Sequence, residues 1–348
     1  DPPLHGEGRI CQWKGHTVMC GPQGLPAQSD RLWRNDDGAW QEISATAGID
    51  APAGYGLGVI DGDFDADGWP DLYVSNDSTP THLYLNEGHG RLVERGLASG
   101  AALSGRGREQ AGMGIAAGDV EHDGDEDLLV TNFSMEPNAL YLNEGDGRFD
   151  DRTDPAGIGG PSRRLLGWGV AFLDANLDGN TDVLTANGHV YPQADAPGSD
   201  TTYAQPDVLL LGDGRGRFST TPWAGEQVAV SRALAVGDLD DDGRSDAIIL
   251  RREGPPAVWR GTASGASLQV QLVGPGGNPD AVGAQLIWED EQGARSARIR
   301  TSAGFQASAD PRPVFAWRGP GRLVVQWPDG SRSDVERREP GRLLLEMP

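Results

Sequence analysis

The segment "DFDADGWPD", starting at Asp63, crowds four carboxylates into nine residues, and three later segments repeat its pattern: "DVEHDGDED" from Asp119, "DANLDGNTD" from Asp174 and "DLDDDGRSD" from Asp238. Each has a carboxylate or amide at positions 1, 3 and 5, glycine at 6 and aspartate at 9, and the starts lie 56, 55 and 64 residues apart. So many like charges repel unless something collects them. A period of this size marks one supersecondary unit repeated along the chain.

The template suits a hard cation. Oxygens at 1, 3 and 5 can converge if the backbone curls, glycine at 6 permits the sharp turn, and the carboxylate at 9 closes the cage. Calcium accepts six to eight oxygens with flexible geometry, whereas magnesium demands a near-ideal octahedron. An EF-hand would close with glutamate at position 12 and enter a helix. Here closure comes at 9, and "DLYVSN", "DLLVTN", "DVLTAN" and "DAIILR" follow, which read as strands. The expectation is about four calcium sites. Their ligands are Asp63, Asp65, Asp67 and Asp71; Asp119, Glu121, Asp123 and Asp127; Asp174, Asn176, Asp178 and Asp182; and Asp238, Asp240, Asp242 and Asp246. The third set has one charge fewer and should bind more weakly. The competing reading is four Asp-Gly turns without metal.

With 51 glycines and 24 prolines among 348 residues, and no long helical periodicity, the composition favours an all-β, turn-rich chain of two domains. The formal charge of −23 argues against nucleic acid or an anionic membrane as partner, and positions 1, 3, 5 and 9 of the four templates alone supply fifteen carboxylates. No apolar run reaches transmembrane length, so no direct membrane insertion is expected. "DPPLHGEGRI" has no signal-peptide character, and a start at aspartate reads as processed or trimmed. Cys11 and Cys20 flank a glycine-containing turn and could clip a hairpin; the alternative is two free thiols. Disulfide and millimolar calcium both belong outside the cytoplasm, in a secreted, periplasmic or cell-surface setting.

Around each Asp loop the sequence reads as up to four short strands, for example "GLGVIDGD", "DLYVSN", "THLYLN" and "RLVER". Such units make blades of a β-propeller, with the loop joining a blade's first and second strands. Glycines flanking the first strand suit close approach near the axis.

These motifs resemble FG-GAP/VCBS repeats of integrin-type calcium-binding propellers. More narrowly, "CGPQGLPAQSDRLWRNDDGAWQEIS", "EQAGMGIAAGD", "LLVTNFSMEPNALYLNEGDGRF" and "LGWGVAFLDANLDGNTDVLTANGHVY" resemble the family of cartilage acidic protein 1. From Ser267, "LQVQLVGPGGNPDAVGAQLIW" and "LVVQWPDGSRSDV" look like the ASPIC/UnbV domain of those proteins, although "PVFAWRGPG" departs from the usual run. The resemblance implies three parts: residues 1–28 with the Cys11–Cys20 clip, propeller blades over 29–262, and an ASPIC/UnbV-like β domain over 263–348. It implies four full blades, with "TVMCG", "RLWRN" and "AWQEIS" supplying most of another; either a C-terminal strand completes that blade and closes a small propeller, or, as favoured here, the chain is part of a propeller of about seven. The first blade would then need a neighbour, further blades of its own precursor or a partner protein, at an interface around Leu32, Trp33 and Trp40.

Catalytic signals are poor: no nucleophile elbow, zinc-protease motif or P-loop is present. The chain is read as a non-enzyme. His189 in "NGHVYP" is the histidine worth watching, between a structural hydrogen bond and a functional contact; His122 is expected to face solvent. Trp69, inside the first loop, offers a contact anchor, and Trp168 and Trp259 read as blade packing. Asn76 and Asn132 sit in glycosylation sequons. Ten arginines after residue 290 make the C-terminal region richer in arginine than the repeats, which suggests that the two parts dock; the alternative is ordinary solvated charge. The function expected is an extracytoplasmic interaction, adhesion or assembly module, or an accessory subunit of an envelope complex. The alternative is a catalytic or biosynthetic accessory protein with a pocket on the propeller's axial face.

Overall fold

A computed structural model describes residues 10–49, 51–223 and 227–348. His5 and the remainder of residues 1–9 lie outside it. The fold is a nearly all-β propeller array, because each apolar run after an Asp loop alternates faces with the period of a strand. Three sheets share one plan of four antiparallel strands paired in chain order. The first contains Gly56–Gly62, Asp71–Asn76, His82–Asn86 and Leu92–Glu94; the second Ile115–Gly118, Asp127–Val130, Ala139–Asn143 and Phe149–Asp151. The third contains Gly167–Leu173, Asp182–Asn187, Val208–Gly212 and Phe218–Thr220. The fourth sheet has only three strands, Ser231–Gly237, Asp246–Arg251 and Ala257–Trp259. That corrects the expectation of four full blades: no fourth strand pairs beyond Ala257–Trp259 among the described residues.

The sheets stack through three cores. Ile60 and Tyr73 of the first meet Ile115, Leu128 and Val130 of the second; Ala116 and Leu129 meet Val170 and Val183; Ala171 and Leu184 meet Leu234, Ala247 and Ile249. The innermost strands approach too closely for side chains at some points: a Cβ on Gly114 would stand 1.9 Å from the Trp168 carbonyl oxygen.

Ahead of the first sheet lies a half-sheet, Trp33–Asp36 paired with Ala39–Glu42. "TVMCG" does not join it; His16–Val18 pairs instead with Cys11–Trp13 in a separate hairpin, closed by the Cys11–Cys20 disulfide with a Cα–Cα distance of 5.2 Å. The nine-residue spacing folds back on the left-handed Lys14–Gly15 turn, which is why these cysteines meet.

The C-terminal region builds two further sheets around Leu268, Val270, Leu286, Trp288, Leu323 and Trp327. In one, Ala266–Val273 lies between Val314–Trp317 and Gly341–Glu346; in the other, Gln285–Asp290 and Gly321–Gln326 are flanked by Gly293–Arg298 and Arg332–Arg337. The divergent segment "PVFAWRGPG" thus supplies a core strand. Among the described residues no C-terminal strand pairs with the half-sheet. A small hairpin, Ser302–Ala303 with Ala307–Ser308, instead reaches the propeller's centre, where the Gly304 N–H donates to the Ile115 carbonyl at 2.9 Å and Phe305 packs on Trp168.

Candidate functional site

The four Asp loops are built by the same hydrogen bonds. The ninth-position carboxylate is buried and accepts two backbone N–H groups. One comes from loop position 2: Phe64 to Asp71 at 2.7 Å, Val120 to Asp127 at 2.9 Å, Ala175 to Asp182 at 2.9 Å and Leu239 to Asp246 at 2.9 Å. The other comes from the end of the third strand: Asn86, Asn143, Gly212 and Gly261 in turn. The first-position carboxylate accepts the N–H of the position-6 glycine in every loop, at 2.7 to 3.1 Å. Position 4 is left-handed although it is never glycine, with φ of 57° at Ala66, 62° at His122, 56° at Leu177 and 62° at Asp241.

This scaffold aims carboxylates inward, and it brings the expected ligands together unevenly. Oxygens of Asp63, Asp65 and Asp71, and of Asp238, Asp240 and Asp246, lie within 4.8 Å of one another. The fifth-position aspartates stand outside both groups; Asp67 and Asp242 accept their own loops' position-7 N–H. In the second and third loops no group of three carboxylates converges as tightly among the described residues. The donor set fits a divalent cation: Asp65 Oδ1 is buried without a hydrogen-bond partner. Burial, then the neighbouring carboxylates, push the Asp71 carboxyl up to about 7, and burial pushes Asp127 to about 8, Asp182 to about 7 and Asp174 to about 6. Positive charge at the loop centres would relieve that cost.

The arginine-rich C-terminal region docks on this loop face. Arg298 and Arg300 pair with the buried Glu126, Arg298 Nε donating at 3.0 Å, and Arg298 stands 3.7 Å from Asp63. Burial alone would raise the Glu126 carboxyl; the two arginines hold it below its usual range. Ser296 Oγ donates to Asp119 at 3.2 Å, Gln269 Nε2 to Asp238 at 2.8 Å, and Arg312 and Arg342 pair with Asp241. First-position carboxylates of three loops therefore meet the C-terminal region directly. A cavity of about 270 Å³ remains between the two parts. His122 lines it, half-buried rather than facing solvent, and burial lowers its pKa.

Comparison with known proteins decides what these parts are. The FG-GAP-like repeat model matches residues 63–130 and 119–185, and the ASPIC and UnbV model matches residues 274–345. The chain carries FG-GAP-like repeats and an ASPIC and UnbV domain. Its curated relatives include human cartilage acidic protein 1, 28% identical over 181 residues that cover 47% of this chain and 26% of that protein. The mouse protein is 28% identical over 176 residues, covering 47% of this chain and 27% of its own length. The match spans about a quarter of these relatives. Solved structures with some likeness include an Agrocybe aegerita lectin that recognises non-reducing terminal N-acetylglucosamine (14% identity, TM-score 0.32, 68% of this chain and 81% of that one). The exotype rhamnogalacturonan lyase YesX is another (14% identity, TM-score 0.29, 82% and 55%).

On the face opposite the ASPIC and UnbV domain, the disulfide hairpin lies across the third repeat. Trp13 stacks at 4.7 Å from His189, Lys14 pairs with Asp200, and Gln193 Nε2 donates to the Thr17 carbonyl. His189 is fully buried; its Nδ1 accepts the Tyr191 N–H at 3.0 Å and Nε2 has no partner. Burial pushes its pKa down to about 4. Asn76 and Asn132 are buried too, each donating Nδ2 to a proline carbonyl, Pro80 and Pro137, and Asn187 does the same to Pro206. Sequence reasoning took two of these as sequons; the shared spacing from each Asp loop was the signal that they cap the turn after the second strand.

Of the residues expected at an interface, Leu32 turns inward onto Ile49 and Tyr84, whereas Trp33 and Trp40 are 47% and 64% exposed. Trp69 is exposed beside His89. Sequence reasoning missed Leu57 and Val59, which are exposed although they lie on an innermost strand.

Proposed function

We propose that this chain is an extracytoplasmic, calcium-stabilised β-propeller that serves as a protein-interaction, adhesion or assembly module, in the manner of an accessory subunit of an envelope complex. The observation that carries this reading is the uncovered apolar end of the sheet array, Trp33 and Trp40 on the half-sheet with Leu57 and Val59 behind it. Apolar patches of this kind mark contact sites. The disulfide supports an oxidising setting. The parts are taken as residues 1–28, 29–262 and 263–348.

Calcium is assigned to all four loops through the sixteen residues named above, the first and fourth being the best formed. Bound there, the ion would supply charge neutralisation and cross-linking of the corner, while the chain's own N–H groups hold the carboxylates in place. A catalytic role has less support. Among the charged groups lining the interdomain cavity, Glu126 is paired across it with Arg298 and Arg300, and Arg312 is paired with Asp310.

Sedimentation velocity tests the interaction reading. In calcium, the purified chain should self-associate or aggregate through its apolar end, and the Trp33→Ser/Trp40→Ser double variant should stay dispersed. A wild-type chain that is a monodisperse monomer at every concentration would defeat it.

A further inference from the structure

The fourth repeat departs from the other three at one residue beside its Asp loop. The residue that donates its N–H to the ninth-position aspartate is Asn86, Asn143, Gly212 or Gly261 in turn. The residue just before it is Leu85, Leu142 or Leu211 in the first three repeats and Arg260 in the fourth. In the first two repeats this leucine lies beside the position-3 carboxylate of its loop, under a glycine in the turn between the next sheet's third and fourth strands. A Cβ on Gly147 would stand 3.0 Å from Leu85 and 3.4 Å from Asp65, and one on Gly216 would stand 3.2 Å from both Leu142 and Glu121. The C-terminal domain follows the fourth sheet in place of another repeat, and there the Arg260 side chain is 63% exposed.

Arg260 uses this opening to hold the loop. Its Nε stands 2.5 Å from Asp240, at position 3, and its Nη2 stands 3.0 Å from Asp242, at position 5. Asp240 is one of the three carboxylates that converge with Asp238 and Asp246, and Asp242 also pairs with Arg244. The corresponding carboxylate of the first loop differs, since Asp65 Oδ1 has no hydrogen-bond partner. A guanidinium on Asp240 offsets part of the charge crowding that an ion would relieve. The two cations repel at that distance, so one carboxylate does not serve both equally.

We propose that Arg260 is a tethered cation that competes with calcium at the fourth loop. It bridges Asp240 and Asp242 when calcium is scarce and swings into solvent when the ion takes Asp240. Exposed ion pairs are weak, so a divalent cation can displace it. The fourth corner then keeps its shape in low calcium and fills only at a higher concentration than it would with leucine at this position. This rests on the calcium reading of the loops and goes beyond it, since it names a residue that sets the working range of one of them.

The test is a calcium titration of the full chain by isothermal calorimetry, wild type against Arg260→Leu, which installs the residue of the other repeats. Arg260→Leu should tighten one site by about tenfold. In an Asp240→Ala/Asp242→Ala background, which lacks both acceptors, it should leave the isotherm unchanged. Melting temperature gives the second readout. Arg260→Leu should lower it in excess chelator, where the loop loses its counter-charge, and leave it unchanged or raised in saturating calcium. If both chains bind calcium with the same isotherm, the proposal is overturned while the calcium reading stands. Tightening that persists without Asp240 and Asp242, or an equal loss of melting temperature in both conditions, overturns it too. No bound calcium in either chain overturns both readings together.

Discussion

Glu126 occupies the position before the last ligand of the second loop, yet its charge belongs to the docked domain. It is fully enclosed by the guanidinium groups of Arg298 and Arg300. Removing one partner of such a buried set leaves uncompensated charge, so Glu126→Ala should cost about 3–5 kcal/mol in chemical denaturation; a loss below about 1 kcal/mol would show the pairing to be idle. Asp65 behaves differently because Oδ1 has no partner. In chelator, Asp65→Ala removes a repelling charge and should leave stability unchanged or raised. In saturating calcium it should cost about 2–3 kcal/mol through lost binding linkage. A variant that is equally destabilised in both conditions contradicts the ligand role. His189 sets a pH dependence. Its folded pKa of about 4 lies below the ordinary value of 6.5, so the unfolded chain binds more protons between these limits. Stability from this residue is complete above pH 6.5 and falls as the pH drops toward 4; His189→Gln should flatten that part of the profile.

At the scale of elements, the Asp template and the apolar runs after it were legible because charge crowding and period-2 alternation are local signals. The left-handed fourth position was not, since Ala66, His122, Leu177 and Asp241 share no side-chain chemistry. The fate of "TVMCG" was also hidden: it pairs with Cys11–Trp13 rather than with the half-sheet, and the contact of Trp13 with His189 that places this hairpin is long-range. Reduction of Cys11–Cys20 removes a constraint of about 2–3 kcal/mol on that hairpin. Hydrogen exchange over residues 11–18 should then accelerate while the four sheets keep their protection. Uniform acceleration throughout would mean that the clip supports the whole fold rather than one face.

The molecule as a whole joins an acidic array to an arginine-rich cap through the loops proposed to hold calcium. The docking was foreshadowed by the arginine-rich C-terminal sequence, but the particular partners were not, because Arg298 and Glu126 are 172 residues apart. The exposure of Leu57 and Val59 was hidden as well, because it depends on what packs against that innermost strand rather than on the strand's own sequence. Because the loops lie beneath the cap, ion removal should loosen both the blade corners and the domain contact. The measurement that reaches the central claim is thermal unfolding of the full chain in calcium and in excess chelator, with bound metal counted by elemental analysis. The account predicts about four calcium ions per chain at saturation and a sharp fall in melting temperature on chelation. An unchanged melting curve together with no bound calcium would contradict it.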